Sequence, residues 1–197
     1  MQLDPDQILL KEYVNGDLAA FTTLYNKHKS GSYRYFLRQV GTPELAEDLL
    51  QDLWGKVIVN AGAYANDAKF TTWLYRIARN LLIDKHRHLN VAERYVDKSV
   101  SSEESQHATP QDEFSESPEW NAAQAIQKSA ILDCLAKLPQ VQRDGFLLRE
   151  EAGLDQNQIA DVVGASVEAV KSRMRYAISN LRECLSRLLE GDVNGRQ

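Results

Sequence analysis

Cysteine is scarce in this chain: Cys134 and Cys184 are the only two, and neither belongs to a CxxC pair. That excludes a cysteine-built zinc ribbon and a disulfide-dense secreted scaffold, so the two thiols read most simply as buried or bystander residues in a reducing compartment. Histidine is scarce as well. The chain has four, and the close pair His86 and His88 lacks Cys or carboxylate partners at metal-ligand spacing, so no metal is expected. A glycine-rich phosphate loop is missing, and so is any nucleophile motif; no cofactor, no small-molecule substrate and no enzymatic activity are expected. No apolar run approaches a membrane span, and the opening MQLDPDQILLKEY is not a signal peptide. These two absences lead to the expectation of a cytoplasmic chain. Period-two alternation of apolar and polar residues is lacking too, which leaves an all-α reading.

Net positive charge is also missing, with 23 Lys and Arg against 28 Asp and Glu. The deficit is not evenly spread. Residues 1–91 balance at +1, residues 92–130 at −5 and residues 131–197 at −1. Cations gather locally at Lys69, Arg76, Arg79, Lys85 and Arg87, and again at Lys171, Arg173, Arg175, Arg182 and Arg187. Two basic patches on a weakly acidic chain imply feeble DNA binding by the free protein, because phosphate neutralisation supplies most non-specific affinity. Another molecule is needed to deliver such a chain to DNA.

The helices announce their own ends. Asp4, with Pro5 at the first helical position and Gln7 at the third, opens a helix that Gly16 closes. A second starts near Asp17 and runs towards Lys29, and Tyr33 to Val40 continues the pattern before Gly41. Thr42-Pro43 opens a third, through about Val59, on the apolar line Leu45, Leu49, Leu53 and Val57. A loop is expected over 60–69 and a long helix from about Thr71 to His88. Residues 96–118 are Ser, Glu, Asp and Pro with almost no large apolar group, and so read as an acidic flexible linker or a plain tether. Helix resumes near Trp120, and Pro139 starts another. The chain thus divides into a helical domain over 1–91, a linker over 92–119, a second helical domain over 120–190 and a polar tail over 191–197.

Residues 156–182 carry the strongest pattern. Asp155 and Gln158 form a capping box, Gly164 stops the first helix and Ser166 caps the second. In that second helix Val170, Met174, Ala177, Ile178, Leu181, Leu185 and Leu188 form one apolar stripe. Glu168, Lys171, Ser172, Arg175 and Ser179 fall opposite. A helix held by one stripe and showing Lys, Ser and Arg on the other is shaped for a DNA major groove; the plain alternative is a solvated surface face.

Two more faces stand out. Trp73, Arg76, Asn80, Asp84 and Arg87 are spaced by three, four, four and three residues along the long helix. Arg and Asn suit base edges, and Trp73 with Phe70 could stack on an unpaired base or, equally, belong to the core. Glu44, Glu47, Asp48, Gln51 and Asp52 line one side of the third helix. Like charges one turn apart repel by roughly 0.2–0.5 kcal/mol per pair, although acids near a helix start are partly favoured by its dipole. A docking partner offering Arg or Lys would relieve the repulsion.

On AEDLLQDLW (46–54), FTTWLYRIARNLLIDKHR (70–87) and the stretch 138–185, the chain resembles bacterial RNA polymerase sigma factors. The likeness is to the sigma-70 family, in its extracytoplasmic-function (ECF) group. The resemblance implies a sigma region 2-like helical bundle and a sigma region 4-like helix-turn-helix. It also implies a chain that binds RNA polymerase core and directs promoter-specific initiation. By it, Glu47, Asp48, Gln51 and Asp52 meet the clamp helices of the largest polymerase subunit. Lys69, Phe70, Trp73, Arg76, Asn80, Asp84 and Arg87 serve the −10 element of promoter DNA, with Lys69 and Phe70 in a loop that captures an extruded base. Lys171, Ser172, Arg173, Arg175 and Tyr176 serve the −35 element. Relatives often carry Thr at the position of Ala169 and a basic residue at that of Tyr176, so the sequence read upstream is this chain's own. An anti-sigma factor, often membrane-anchored, is the implied regulator and would hold the chain at the inner membrane. The competing reading is an autonomous helix-turn-helix regulator, which needs neither the acidic stripe nor the Trp73–Arg87 face.

Overall fold

The computed structural model describes residues 4–65, 68–95 and 129–194, giving the backbone alone for 88–95 and 189–194. Among these residues all regular structure is helical. In chain order the elements are α1 (Pro5–Val14), α2 (Leu18–Val40), α3 (Pro43–Asn60), a 3-10 turn at Ala61–Ala63 and α4 (Phe70–Tyr95), then α5 (129–136), α6 (Gln140–Glu150), α7 (Gln156–Val163) and α8 (Val167–Asn194).

Local chemistry sets the ends. The Asp4 carboxylate accepts from the backbone N–H of Asp6 at 2.8 Å and of Gln7 at 3.3 Å, while Gln7 Oε1 accepts from the Asp4 N–H at 3.0 Å. Asp155 and Gln158 repeat this box at α7. Gly41 (φ 79°) and Gly164 (φ 65°) end α2 and α7 in the left-handed region, which costs glycine little.

Three boundaries differ from the sequence reading. α2 is one unbroken helix across Gly31, where two segments were expected. α4 runs on to Tyr95, past the expected start of the linker at 92, and α8 continues to Asn194, into the expected tail. No proline interrupts these stretches, and elongation of a helix already formed adds a hydrogen bond for each residue fixed. The remainder of the acidic linker, the resumption of helix near Trp120 and the last three residues lie outside the described residues.

Leu24, Phe36, Ala46, Leu53, Val57, Phe70, Leu74 and Ala78 are fully buried where α2, α3 and α4 meet. Trp54 of α3 receives the edges of Phe21 and Tyr25 at 5.8 and 5.0 Å, and Phe21 in turn contacts Tyr13 at 4.8 Å, which ties α1 to the bundle. Leu147, Leu148, Ile159, Val170, Met174 and Ala177 form the core of α6 to α8.

The two groups of helices pack against each other. Asp144 of α6 is buried. It accepts from Gln39 Nε2 of α2 at 2.8 Å and Gln140 Nε2 at 2.9 Å, and pairs with Arg79 of α4 at 3.4 Å. Glu151 takes Arg34 at 2.7 Å and also pairs with Arg38. Gln158 of α7 donates to Thr72 of α4 at 3.2 Å. Gly31 lies at the closest approach, where a β-carbon would stand 2.9 Å from the Glu151 carbonyl oxygen and 3.2 Å from Tyr75 Oη. Glycine is required there by space, because its neighbour is backbone that cannot swing aside.

Candidate nucleic-acid and polymerase interfaces

Helix α8 begins with the Ser166 hydroxyl accepting from the Ala169 N–H at 3.2 Å. Its inner side is Val170, Met174, Ala177 and Leu181, all buried; Ile178 and Leu185 are half-buried, and Leu188 is exposed. The Met174 thioether packs over Gly145 of α6, 3.6 Å from where a β-carbon would be. Asn180 donates to Gln142 at 2.9 Å and holds α8 against α6 further along. With the inner side so fixed, Lys171, Arg175 and Tyr176 stand in solvent, and Ser172 and Arg173 are half-buried at the flanks. Lys171 pairs with Glu168 at 3.7 Å, but both are well exposed, so the pair is weak and the cation remains available. The Arg175 guanidinium lies 6.0 Å from the Tyr176 ring centre, a distance that lets the ring steady its planar head.

The α4 face divides. Lys69 is exposed in the connection just before the helix, and Asn80, Asp84 and Arg87 are exposed along it. Trp73 and Arg76 are half-buried. Asp84 and Arg87 make an exposed pair at 3.9 Å. Phe70 follows the core alternative of the two readings. It is the first residue of α4 and fully buried, with its ring centre 5.3 Å from that of His28 and 5.9 Å from that of Trp73. The apolar ring is taken up by the core, so it offers no free face to a base in this conformation. Trp73 keeps part of its surface outside and rests on Tyr64 at 5.1 Å.

On α3 the split is clean. Ala46, Leu49, Leu53, Trp54 and Val57 point inward, while Glu44, Glu47, Asp48, Gln51 and Asp52 are all exposed. None of these carboxylates forms an ion pair among the described residues. Their field is felt nearby: burial, and then the charges of Glu47 and Glu44, raise the Tyr33 hydroxyl above its ordinary range. The repulsion along the stripe is therefore left standing.

Other important residues were invisible to pattern reading. Cys134 and Cys184 are not free bystanders: they form a disulfide with a Cα–Cα distance of 5.8 Å, joining α5 to α8. The one available signal was that Cys184 continues the α8 stripe three residues after Leu181. The carboxylates Asp144 and Glu151 looked like ordinary surface acids, yet both are enclosed between the helix groups. Burial, with Glu151 alongside, pushes the Tyr75 hydroxyl up to about 12, so it stays a neutral donor beside the Glu151 backbone.

Comparison with known proteins agrees with this arrangement. Residues 24–98 match the family model for sigma-70 region 2, and residues 128–181 match that for sigma-70 region 4. The chain is 31% identical over 173 residues to the ECF RNA polymerase sigma factor SigL of Mycobacterium tuberculosis (strain ATCC 35801 / TMC 107 / Erdman), covering 87% of this chain and 92% of that one. It is 29% identical over 177 residues to the ECF RNA polymerase sigma factor SigW of Bacillus subtilis (strain 168), covering 89% and 94%. Among solved structures, that of CnrH in complex with the cytosolic domain of CnrY aligns with a TM-score of 0.65 at 26% identity, over 96% of this chain and 99% of that one. Most of α2 and all of α3 and α4 fall within the first matched region, and α6, α7 and the first half of α8 within the second. The chain belongs to the sigma-70 family of RNA polymerase sigma factors, in its ECF group.

Proposed function

We propose that this chain binds RNA polymerase core and directs it to a specific class of promoters. The acidic face of α3 docks on the clamp helices of the largest polymerase subunit. Lys171 and Arg175, flanked by Ser172, Arg173 and Tyr176, read the −35 element in the major groove. Lys69, Trp73, Arg76, Asn80, Asp84 and Arg87 contact the −10 element as it opens. Phe70 supports them from the core instead of touching a base. The chain needs no catalytic group, since bond formation belongs to the polymerase. Its place is the cytoplasm, and no helix among the described residues is long and apolar enough to cross a membrane. An anti-sigma factor, anchored at the inner membrane, is the regulator that fits this group.

The observation that carries the reading is the separation of faces. Two cationic helix surfaces and one unpaired acidic surface stand on three different helices, all solvent-exposed, with the balance of charge too low for the chain to hold DNA alone. The test is in vitro transcription with purified polymerase core over a genomic library, with start sites mapped. The chain should impose a defined set of starts on core and bind duplex DNA poorly without it. Tight, specific duplex binding by the free chain would point to an autonomous regulator instead.

A further inference from the structure

Helix α1 lies ahead of the stretch matched by the region 2 family model, which begins at residue 24. Its two buried polar side chains, Asp6 and Gln7, face different neighbours. Asp6 binds α2, through Lys27 at 2.5 Å and His28 at 2.9 Å. Gln7 does two jobs with one amide. Its oxygen closes the α1 capping box on the Asp4 N–H. Its nitrogen donates to Tyr64 Oη at 2.9 Å and to the Ala68 carbonyl oxygen at 3.0 Å, and the Tyr64 hydroxyl itself donates to that same carbonyl.

Tyr64 and Ala68 stand at the two ends of the connection from the 3-10 turn to α4. Ala68 is the residue before Lys69, and the Tyr64 ring is the surface on which Trp73 rests. The amide of Gln7 therefore fixes both the backbone that presents Lys69 and the ring that sets the tilt of Trp73. Glutamate is a common choice at this position of a capping box, but it has no donor and could do only the first job. An amide nitrogen so enclosed is costly to leave without acceptors, so the Tyr64 hydroxyl and the Ala68 carbonyl are held beside it.

We propose that Gln7 is a positioning residue for promoter opening, acting through Tyr64 and Ala68 to hold Lys69 and Trp73 where a separating −10 strand meets them. This rests on the reading of Lys69 and Trp73 as DNA-facing residues. Pre-set geometry matters here because a group already in place need not be ordered during strand separation.

Gln7→Glu separates the two jobs. It keeps the oxygen that caps α1 and removes both donations. Tyr64→Phe removes the hydroxyl but keeps the ring. The full chain, bound to polymerase core, is assayed on a promoter taken from the wild-type start-site map, as intact duplex and with a pre-opened mismatch over −10. The expected result for Gln7→Glu is unchanged core binding, unchanged closed-complex affinity, and permanganate-detected opening reduced by about tenfold, the scale of one or two hydrogen bonds. Transcription should recover on the pre-opened template. Tyr64→Phe should lose opening to a lesser degree. Normal opening by Gln7→Glu, or a loss that the pre-opened template does not rescue, overturns the proposal. Lys69→Ala and Trp73→Ala serve as the parallel arm. If those two open duplex normally, the DNA-facing reading itself has failed; if they are impaired while Gln7→Glu is not, only the role of Gln7 has.

Discussion

Single side chains in this protein take their meaning from what fixes their neighbours. Lys171 and Arg175 face solvent because Val170, Met174 and Ala177 are held inside. Replacing either with alanine should weaken promoter recognition by about 1–3 kcal/mol, the worth of a good base contact, with core binding unaffected. Quantitative footprinting on promoters altered at single −35 positions would measure it, and equal loss on every sequence would reassign the pair to phosphate. Asp6 makes a different kind of prediction. Burial pushes its carboxyl up, but hydrogen bonds from His28 and Lys27 together outweigh that and hold it below the ordinary aspartate value of 3.8. A depressed folded-state value means the stabilisation is complete above that pH and is lost as pH falls through the folded value. Denaturant midpoints for the wild type and Asp6→Asn should therefore differ near neutrality and converge as pH drops below about 3.8.

Among the elements, α3 and the α5–α8 pair show how one helix serves two masters. α3 stabilises its domain with one side and leaves its acids unpaired on the other. Reversing Asp48 and Asp52 to lysine should abolish association with core and leave the helix content intact, because neither carboxylate touches the rest of the fold. Co-purification and circular dichroism would check the two halves of that statement. The Cys134–Cys184 bond closes a loop of sequence separation 50. A loop of about that length is worth up to roughly 4 kcal/mol by chain entropy. Dithiothreitol should lower the thermal midpoint of the wild type towards that of Cys134→Ser, and should leave the variant unchanged. In a reducing compartment the same sulfurs would stand as adjacent thiols, so the state of this link follows the redox poise.

At the scale of the molecule, buried polar contacts join the two helix groups alongside an apolar core that runs through both. Asp144 meets Gln39 and Arg79 of the other group, and Glu151 meets Arg34 and Arg38. Removing one partner from such a site leaves a charge enclosed without compensation, so the contact is steep in its response to single changes. Gly31 is the sharpest lever. Alanine there should favour α2 by up to about 1 kcal/mol as a helix, yet its methyl group meets the Glu151 backbone. The expected outcome is a chain of equal helicity but larger radius of gyration in small-angle scattering, with faster hydrogen exchange at the α6–α7 junction. An unchanged radius would mean that the two groups shift together without parting.

The amino-acid sequence by itself determined most of the helices and their capped ends, though not the far ends of α4 and α8, since caps, left-handed glycines and apolar stripes act within a few residues of one another. It also placed the exposed face of α8 and the acid stripe of α3, because a helix with one apolar side has its other side decided. Only the tertiary structure decided that Phe70 is core, that Asp144 and Glu151 are enclosed, that Cys134 meets Cys184 and that Gln7 reaches across to Tyr64 and Ala68. Those outcomes depend on which elements meet across tens of residues. A period or a spacing carries no information about distance through space, so the same Asp, Gln or Phe reads identically whether it ends in water, in a core or in a partner's hydrogen bond.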